Sequence, residues 1–252
     1  MSDPRVRHYD EKYAAEADAA ASGVIPWTDV PTDRYEAALR TVLERFHGGA
    51  LLEVGAGSGL LARSLLAAGL DCDRYTVSEL SRARLEGLRR QFDDPRIQVA
   101  ELDVEEIPEE ELGRYDAVLL IALVEHLFDP LRALQRVRRL LRPGGFAVID
   151  TPNVAKFTRR LKLLMGHFPA TASRDEGLVT YDGRPVDLHD EGHLHYFTHA
   201  SLSRMLLERC GFARVEVIPY ATPPRPLGCR VHHALARLRP QLFAELCVVA
   251  WT

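Results

Sequence analysis

Leu51-Leu52-Glu53-Val54-Gly55-Ala56-Gly57-Ser58-Gly59 is the stretch whose reading decides the fold. Ala50 to Val54 is a short apolar run holding a single acid, the pattern of a strand buried in a parallel sheet. Gly55, Gly57 and Gly59 then let the backbone turn sharply and approach a ligand without Cβ clashes. Leu60 to Ala68 carries apolar residues at helical spacing, with Ser58 placed to cap the helix. A strand, a glycine turn and a helix N-terminus make a binding corner of the nucleotide type. A dinucleotide fingerprint needs G-x-G-x-x-G, and counting from Gly55 its third glycine falls on Leu60. Glu53, two residues before the first glycine, would repel a pyrophosphate and suits a ligand that carries positive charge.

An ammonium group and a sulfonium centre on one molecule describe S-adenosylmethionine (SAM). The stretch resembles motif I, E/D-x-G-x-G-x-G, of the class I SAM-dependent methyltransferases, and the segments downstream follow in order. Cys72 to Leu80 reads as a second strand, and Glu79 at its tip suits two ribose hydroxyls. A helix from Ser81 to Phe92 precedes a third strand, Arg96 to Leu102, which leads into Asp103-Val104. Tyr115 to Ile121 is the near-continuous apolar run of a central strand. Leu140 to Asn153 supplies a helix end, a Pro-Gly-Gly turn and a fifth strand, and is similar to the family's L-K-P-G-G segment. The resemblance covers about residues 35–218 and is strongest over 50–153.

The resemblance implies a Rossmann-like α/β fold, a seven-stranded, mostly parallel sheet with helices on both faces and the last strand antiparallel. Phe212 to Pro219 and Leu242 to Trp251 read as the sixth and seventh strands, with a short basic helix, Arg230 to Leu238, between them. Residues 1–48 form an N-terminal helical lid, and residues 49–252 the methyltransferase domain, with a cap insertion at about 154–197. Tyr9 and Tyr13, spaced i, i+4, share a helical face suited to the lid, and a helix runs from Thr32 to Phe46. The basic amphipathic stretch Lys156 to Met165 reads as packed against the domain. Carried over residue by residue, the resemblance sets Glu53 beneath the methionine ammonium, with Gly55, Gly57 and Gly59 around its backbone side. Glu79 takes the ribose, Asp103 the adenine amino group and Val104 lends an amide, while Tyr13, Ala56, Leu80 and Ile121 adjoin the cofactor.

Two groups carry candidate chemistry. Leu123-Val124-Glu125-His126-Leu127 resembles the family's L-E-H motif after the fourth strand, near the sulfonium methyl. His126 is read either as the base that takes a proton from the acceptor or, with Glu125, as a wall that lines and orients the pocket. Asp187 to His199 holds His189, His193, His195 and His199. His193 and His195, spaced i, i+2, need an extended segment, whereas His189 and His193 need a helix, so the spacing opposes a metal site and none is assigned. His193 and His195 are instead candidates to face substrate, in a segment similar to the family's H-x-x-F-F-T.

A chain of 252 residues is long enough for one α/β domain with a sizeable core. Its 46% hydrophobic and 27% charged content is that of a globular protein, and a net charge of −4 gives no global attraction to nucleic acid or anionic membrane. No apolar run approaches the ~20 residues of a membrane span, the start of the chain lacks a signal peptide's apolar middle, and the four cysteines are isolated, which together point to the cytoplasm. The expected activity is methyl transfer from SAM to an oxygen or nitrogen of a small-molecule acceptor. The alternatives are methylation of a protein or peptide side chain, for which the acidic stretch Glu105 to Glu111 is a candidate attractor, and a non-catalytic SAM-binding partner protein. The sequence leaves monomer and homodimer open.

Overall fold

A computed structural model of the chain describes residues 23–107, 114–171, 179–180, 184–185, 193–220 and 229–252. Seven strands form one sheet: β1 (Ala50–Val54), β2 (Arg74–Glu79), β3 (Ile97–Glu101), β4 (Tyr115–Ile121), β5 (Leu141–Thr151), β8 (Arg214–Val217) and β9 (Leu246–Trp251). Their order is β3-β2-β1-β4-β5-β9-β8. The pairs up to β5 are parallel, and β9 runs antiparallel to both β5 and β8. A separate two-stranded pair, β6 (Val179–Thr180) with β7 (Arg184–Pro185), is antiparallel.

Alternation along the strands divides the core into two layers. Leu51, Tyr75, Val77, Leu119, Val148 and Val249 turn to one face, where α1 (Arg34–Arg45), α2 (Leu60–Ala67) and α3 (Arg82–Gln91) cover them. Leu52, Val54, Val118, Leu120, Ile149 and Val248 turn to the other, against α4 (Pro130–Leu140) and α6 (His199–Arg204). Asp33 caps α1 by accepting from the Glu36 amide, and Ala37, Ala38, Leu39 and Val42 seat the helix in the first layer. Tyr9 and Tyr13 lie outside the described residues. Thr198 and Ser201 form a reciprocal capping box at the start of α6, which ends in a wide π turn over Met205–Arg209.

Three local expectations are corrected. Ser58 does not cap α2. The cap position is Gly59, in the left-handed region at φ 74°, and no side-chain cap bond forms. The strand expected from Leu242 begins only at Leu246, because Pro240–Phe243 forms a short helix, α8, directly after α7 (Cys229–Leu238). The helix α5 (Phe157–Leu164) does not bury its apolar stripe, and Phe157, Leu161, Leu163 and Leu164 stay exposed. Its basic residues hold it instead: Lys156 and Arg159 meet the Glu245 carboxylate at 2.9 and 2.7 Å. Burial pushes the Glu245 carboxyl up, but those two cations outweigh it and hold the group down at about 2.

Gly59 is also a packing position. A Cβ there would stand 2.7 Å from Leu88 and 2.9 Å from Gln91, and the φ of +74° already disfavours an L side chain. Gly69 shares the positive φ, at +79°, but faces open space. Gly59→Ala is therefore expected to cost more than ~2 kcal/mol, against about 1 kcal/mol for Gly69→Ala, in urea unfolding. Equal costs at the two positions would contradict this packing.

Candidate functional site

The strand order reverses between β1 and β4, and a parallel sheet binds its ligands at the carboxyl ends of the strands beside such a switch point. The glycine turn stands there. Gly57 has φ 57°, and a Cβ on it would meet only the Arg84 guanidinium, at 3.8 Å, so the turn is open to a close-lying ligand. The Ala56 amide donates to the Ser78 carbonyl at 2.9 Å, which joins the turn to β2. Glu79, at the tip of β2, tightens that joint. Its Oε2 accepts from the Gly57 amide at 2.9 Å and its Oε1 from the Leu80 amide at 2.8 Å. The Ser81 amide also donates to Oε1, at 3.4 Å, so of the carboxylate's roughly four lone-pair sites one remains, on Oε2, to receive a hydroxyl.

Glu53 is buried within β1, where its Oε2 accepts from the Tyr75 hydroxyl at 2.6 Å. Burial pushes its carboxyl up to about 7; the Tyr75 hydrogen bond opposes that and the nearby Glu79 adds to it. Two acids in one buried corner are the donor set for a cationic, polyhydroxylated ligand. Tyr13, another position named from the sequence, lies outside the described residues. One Asp103 oxygen accepts from the Glu105 amide at 2.8 Å, holding the turn after β3, while the Val104 side chain is buried in the second core layer. Ile121 ends β4 and packs in the first layer.

The chain then makes a strained step. Ala122 has φ 52°, the one non-glycine residue with positive φ among the described residues, and its amide donates to the Asp150 carbonyl. It leads into a 3-10 turn, Val124–His126. Leu123 reaches back to the glycine turn, and a Cβ on Gly55 would stand 3.2 Å from its Cδ1. Glu125 is buried, with Oε2 accepting from the Thr151 hydroxyl at 2.8 Å. Its carbonyl accepts from the amides of Leu194 and His195, at 2.8 and 3.2 Å. Those two bonds bring His193 to His126, with ring centroids 4.8 Å apart and nearly perpendicular. His195 points elsewhere, with Nε2 3.2 Å from the Phe128 carbonyl. His199 does not join the cluster: burial pushes its imidazole down to about 4, and His189 lies outside the described residues.

Sequence reasoning passed over several residues. Arg84 approaches Glu79 at 3.8 Å from the first turn of α3. Thr171 places its Oγ1 2.7 Å from His193 Nδ1. Glu105, read from the sequence only as part of a candidate attractor for a basic segment, accepts from the amides of Phe128 and Asp129 and so fixes the chain just past His126. The latter two are long-range pairings that no local pattern announces. Arg84 lies five residues after Glu79, a spacing that a helix starting at Ser81 turns back toward the strand tip.

The profile of a family described as "Methyltransferase domain" matches residues 30–217. The chain belongs to the class I SAM-dependent methyltransferase family. SAM is therefore its cofactor. This methyltransferase is 33% identical over 108 residues to the ubiquinone biosynthesis O-methyltransferase of Alkalilimnicola ehrlichii, an alignment over 42% of each chain. It is also 33% identical over 108 residues to that of Acinetobacter baylyi, over 42% of this chain and 44% of the relative. The match spans less than half the length of these curated relatives. Among solved structures, a SAM-dependent methyltransferase from Mesorhizobium loti superposes with a TM-score of 0.56 at 19% identity, covering 87% of this chain and 98% of that one. One from Archaeoglobus fulgidus gives 0.56 at 16% identity, covering 86% and 92%. At those identities the likeness shows the fold alone.

Three expectations follow from the acids. Glu79→Ala removes the carboxylate that ties the glycine turn to the tip of β2, and should weaken SAM at least ~10-fold by calorimetry; unchanged affinity would exclude Glu79 from the site. Glu53 titrates at about 7 in the free protein, and the ammonium of SAM favours its ionised form. SAM affinity should therefore rise about tenfold from pH 6 to pH 8 and lose that rise in Glu53→Gln. The folded-state value is raised, so the stability that Glu53 contributes is full at low pH and lost as pH climbs through about 7. Chemical unfolding should accordingly favour Glu53→Gln over the parent increasingly between pH 5 and pH 8; a constant difference would contradict the burial.

Proposed function

We propose that this methyltransferase moves the SAM methyl group to an oxygen or nitrogen atom of a small molecule. The single observation that carries the reading is the Glu125–His126–His193 cluster at the carboxyl end of β4, one side chain (Leu123) away from the glycine turn. When bound, SAM supplies an electrophilic methyl carbon that departs from a sulfonium. The chain's own part is positioning. Glu53, Glu79 and the glycine turn hold the cofactor from the strand-tip side. The 3-10 turn sets a polar wall across from them, held rigid by Thr151, by the Leu194 and His195 amides and by Glu105. That wall receives the hydroxyl or amine of the acceptor, while Leu123 and Ile121 keep the adjoining surface apolar and limit access of water. The names of the curated relatives favour oxygen as the acceptor atom.

The reading is tested by S-adenosylhomocysteine release across a panel of small phenols, diols, hydroxy acids and amines. Turnover on members of that panel is expected, and His126→Ala should lower it at least ~10-fold with SAM affinity unchanged, since the side chain acts on the acceptor and not on the cofactor. Turnover on basic peptides alone would replace the small-molecule reading with side-chain methylation. SAM binding without turnover on either panel would make the chain a non-catalytic SAM-binding protein.

A further inference from the structure

We propose that Glu125, His126 and His193 form a binding site for a divalent first-row metal ion, which takes up the acceptor oxygen. The inference rests on the acceptor reading of the same wall and adds to it the means by which the wall acts. One ligand atom from each residue, a carboxylate oxygen and two imidazole nitrogens, lies within 4.8 Å of the others. Metal bonds of ~2.0–2.2 Å set neighbouring ligands about 3–4 Å apart, so small side-chain rotations close the set. One carboxylate and two imidazoles suit zinc, manganese, iron, cobalt or nickel in the divalent state.

What surrounds the three groups is what metal ligands require. His193 Nδ1 stands 2.7 Å from the Thr171 hydroxyl, which leaves Nε2 as its ligand atom. The Thr151 hydroxyl donates to Glu125 Oε2 at 2.8 Å and fixes the plane of that carboxylate. The main chains are tied together as well, because the Leu194 and His195 amides both donate to the Glu125 carbonyl. On the far side of His193, Phe197 bridges to Asn153 at the end of β5. Glu125 and His193 are buried and His126 is half-buried. A doubly positive ion also offsets the cost of keeping a carboxylate in that buried position.

Three protein ligands leave positions open for substrate. A hydroxyl that coordinates there becomes more acidic and loses its proton to water. Its oxygen lone pair then forms the bond to the methyl carbon as the carbon–sulfur bond breaks, and that electron pair stays on sulfur as neutral S-adenosylhomocysteine. His126 and His193, as neutral ligands, take up no proton in this step. The acceptor class is accordingly a hydroxylated compound, with a second oxygen beside the first as the best fit to two adjacent open positions.

The test is titration of the chelator-treated, full-length protein with cobalt(II) chloride, followed by visible absorption and calorimetry. One cobalt per chain with ligand-field bands is expected. Glu125→Gln and His193→Ala should each weaken it at least ~100-fold, and Thr171→Val about tenfold through the orientation of His193. His167→Ala, at an exposed histidine outside the cluster, should leave it unchanged. Binding of S-adenosylhomocysteine, measured on every variant, reports folding and the cofactor site separately. If a ligand variant fails that check, Thr171→Val decides. No cobalt bound at millimolar concentration by a protein that binds S-adenosylhomocysteine would overturn the metal site and leave the methyltransferase reading standing. Cobalt affinity indifferent to all three substitutions would overturn it too.

Discussion

The carboxylate of Glu79 is the constraint on which the cofactor corner depends. It accepts amide hydrogens from Gly57 and Leu80, so one side chain sets the distance between the glycine turn and the tip of β2. The turn needs that outside support because its three glycines all sit at positive φ, where the backbone has few conformational limits of its own. Leu123 bears on Gly55 from the other side. The turn is thus held between β2 and the segment after β4, so the glycine turn and the Glu125–His126–His193 cluster share one rigid frame.

Electrostatics gives each side a different character. At the glycine turn, burial above all raises Glu53 to about 7, and the nearby Glu79 charge adds to it. Such a corner is stabilised by a positive ligand. Behind it Asp150, buried beneath Tyr220 and near Arg34, is likewise pushed up, to about 8, by burial above all. Past β4 the acid is Glu125, which two imidazoles, His126 and His193, adjoin and whose charge also bears on Asp150. The strained Ala122 marks the border between the two, as the chain leaves β4 and bends so that Glu125 and His126 reach the pocket.

Much of this was legible in the residues. β1 and β4 keep the bounds of their apolar runs, Ala50–Val54 and Tyr115–Ile121, because a strand buried on both faces is apolar throughout and polar turns punctuate it. Cys72 and Leu102 fell outside their strands because the ladder begins and ends where a partner exists, and β2 first pairs at Arg74 with Ala50. Local capping chemistry misled at Ser58, since the left-handed Gly59 took the cap position. α5 misled in another way: its apolar spacing predicts burial, but the pull of Glu245 on Lys156 and Arg159 decided how it sits. The meeting of His193 with Glu125 and His126 had no local signature. It depends on two main-chain bonds between segments far apart in sequence, and histidine spacing within 187–199 pointed away from it.

The central claim is that this glycine turn is built for a cationic adenosyl ligand and not for a pyrophosphate. Paired calorimetric titrations of the same protein with SAM and with NADH test it most directly. The account predicts a saturable one-to-one isotherm for SAM and no detectable heat of binding for NADH, which would bring its phosphates against Glu53 and Glu79. Tighter binding of NADH than of SAM would contradict the assignment of both acids and of the turn between them.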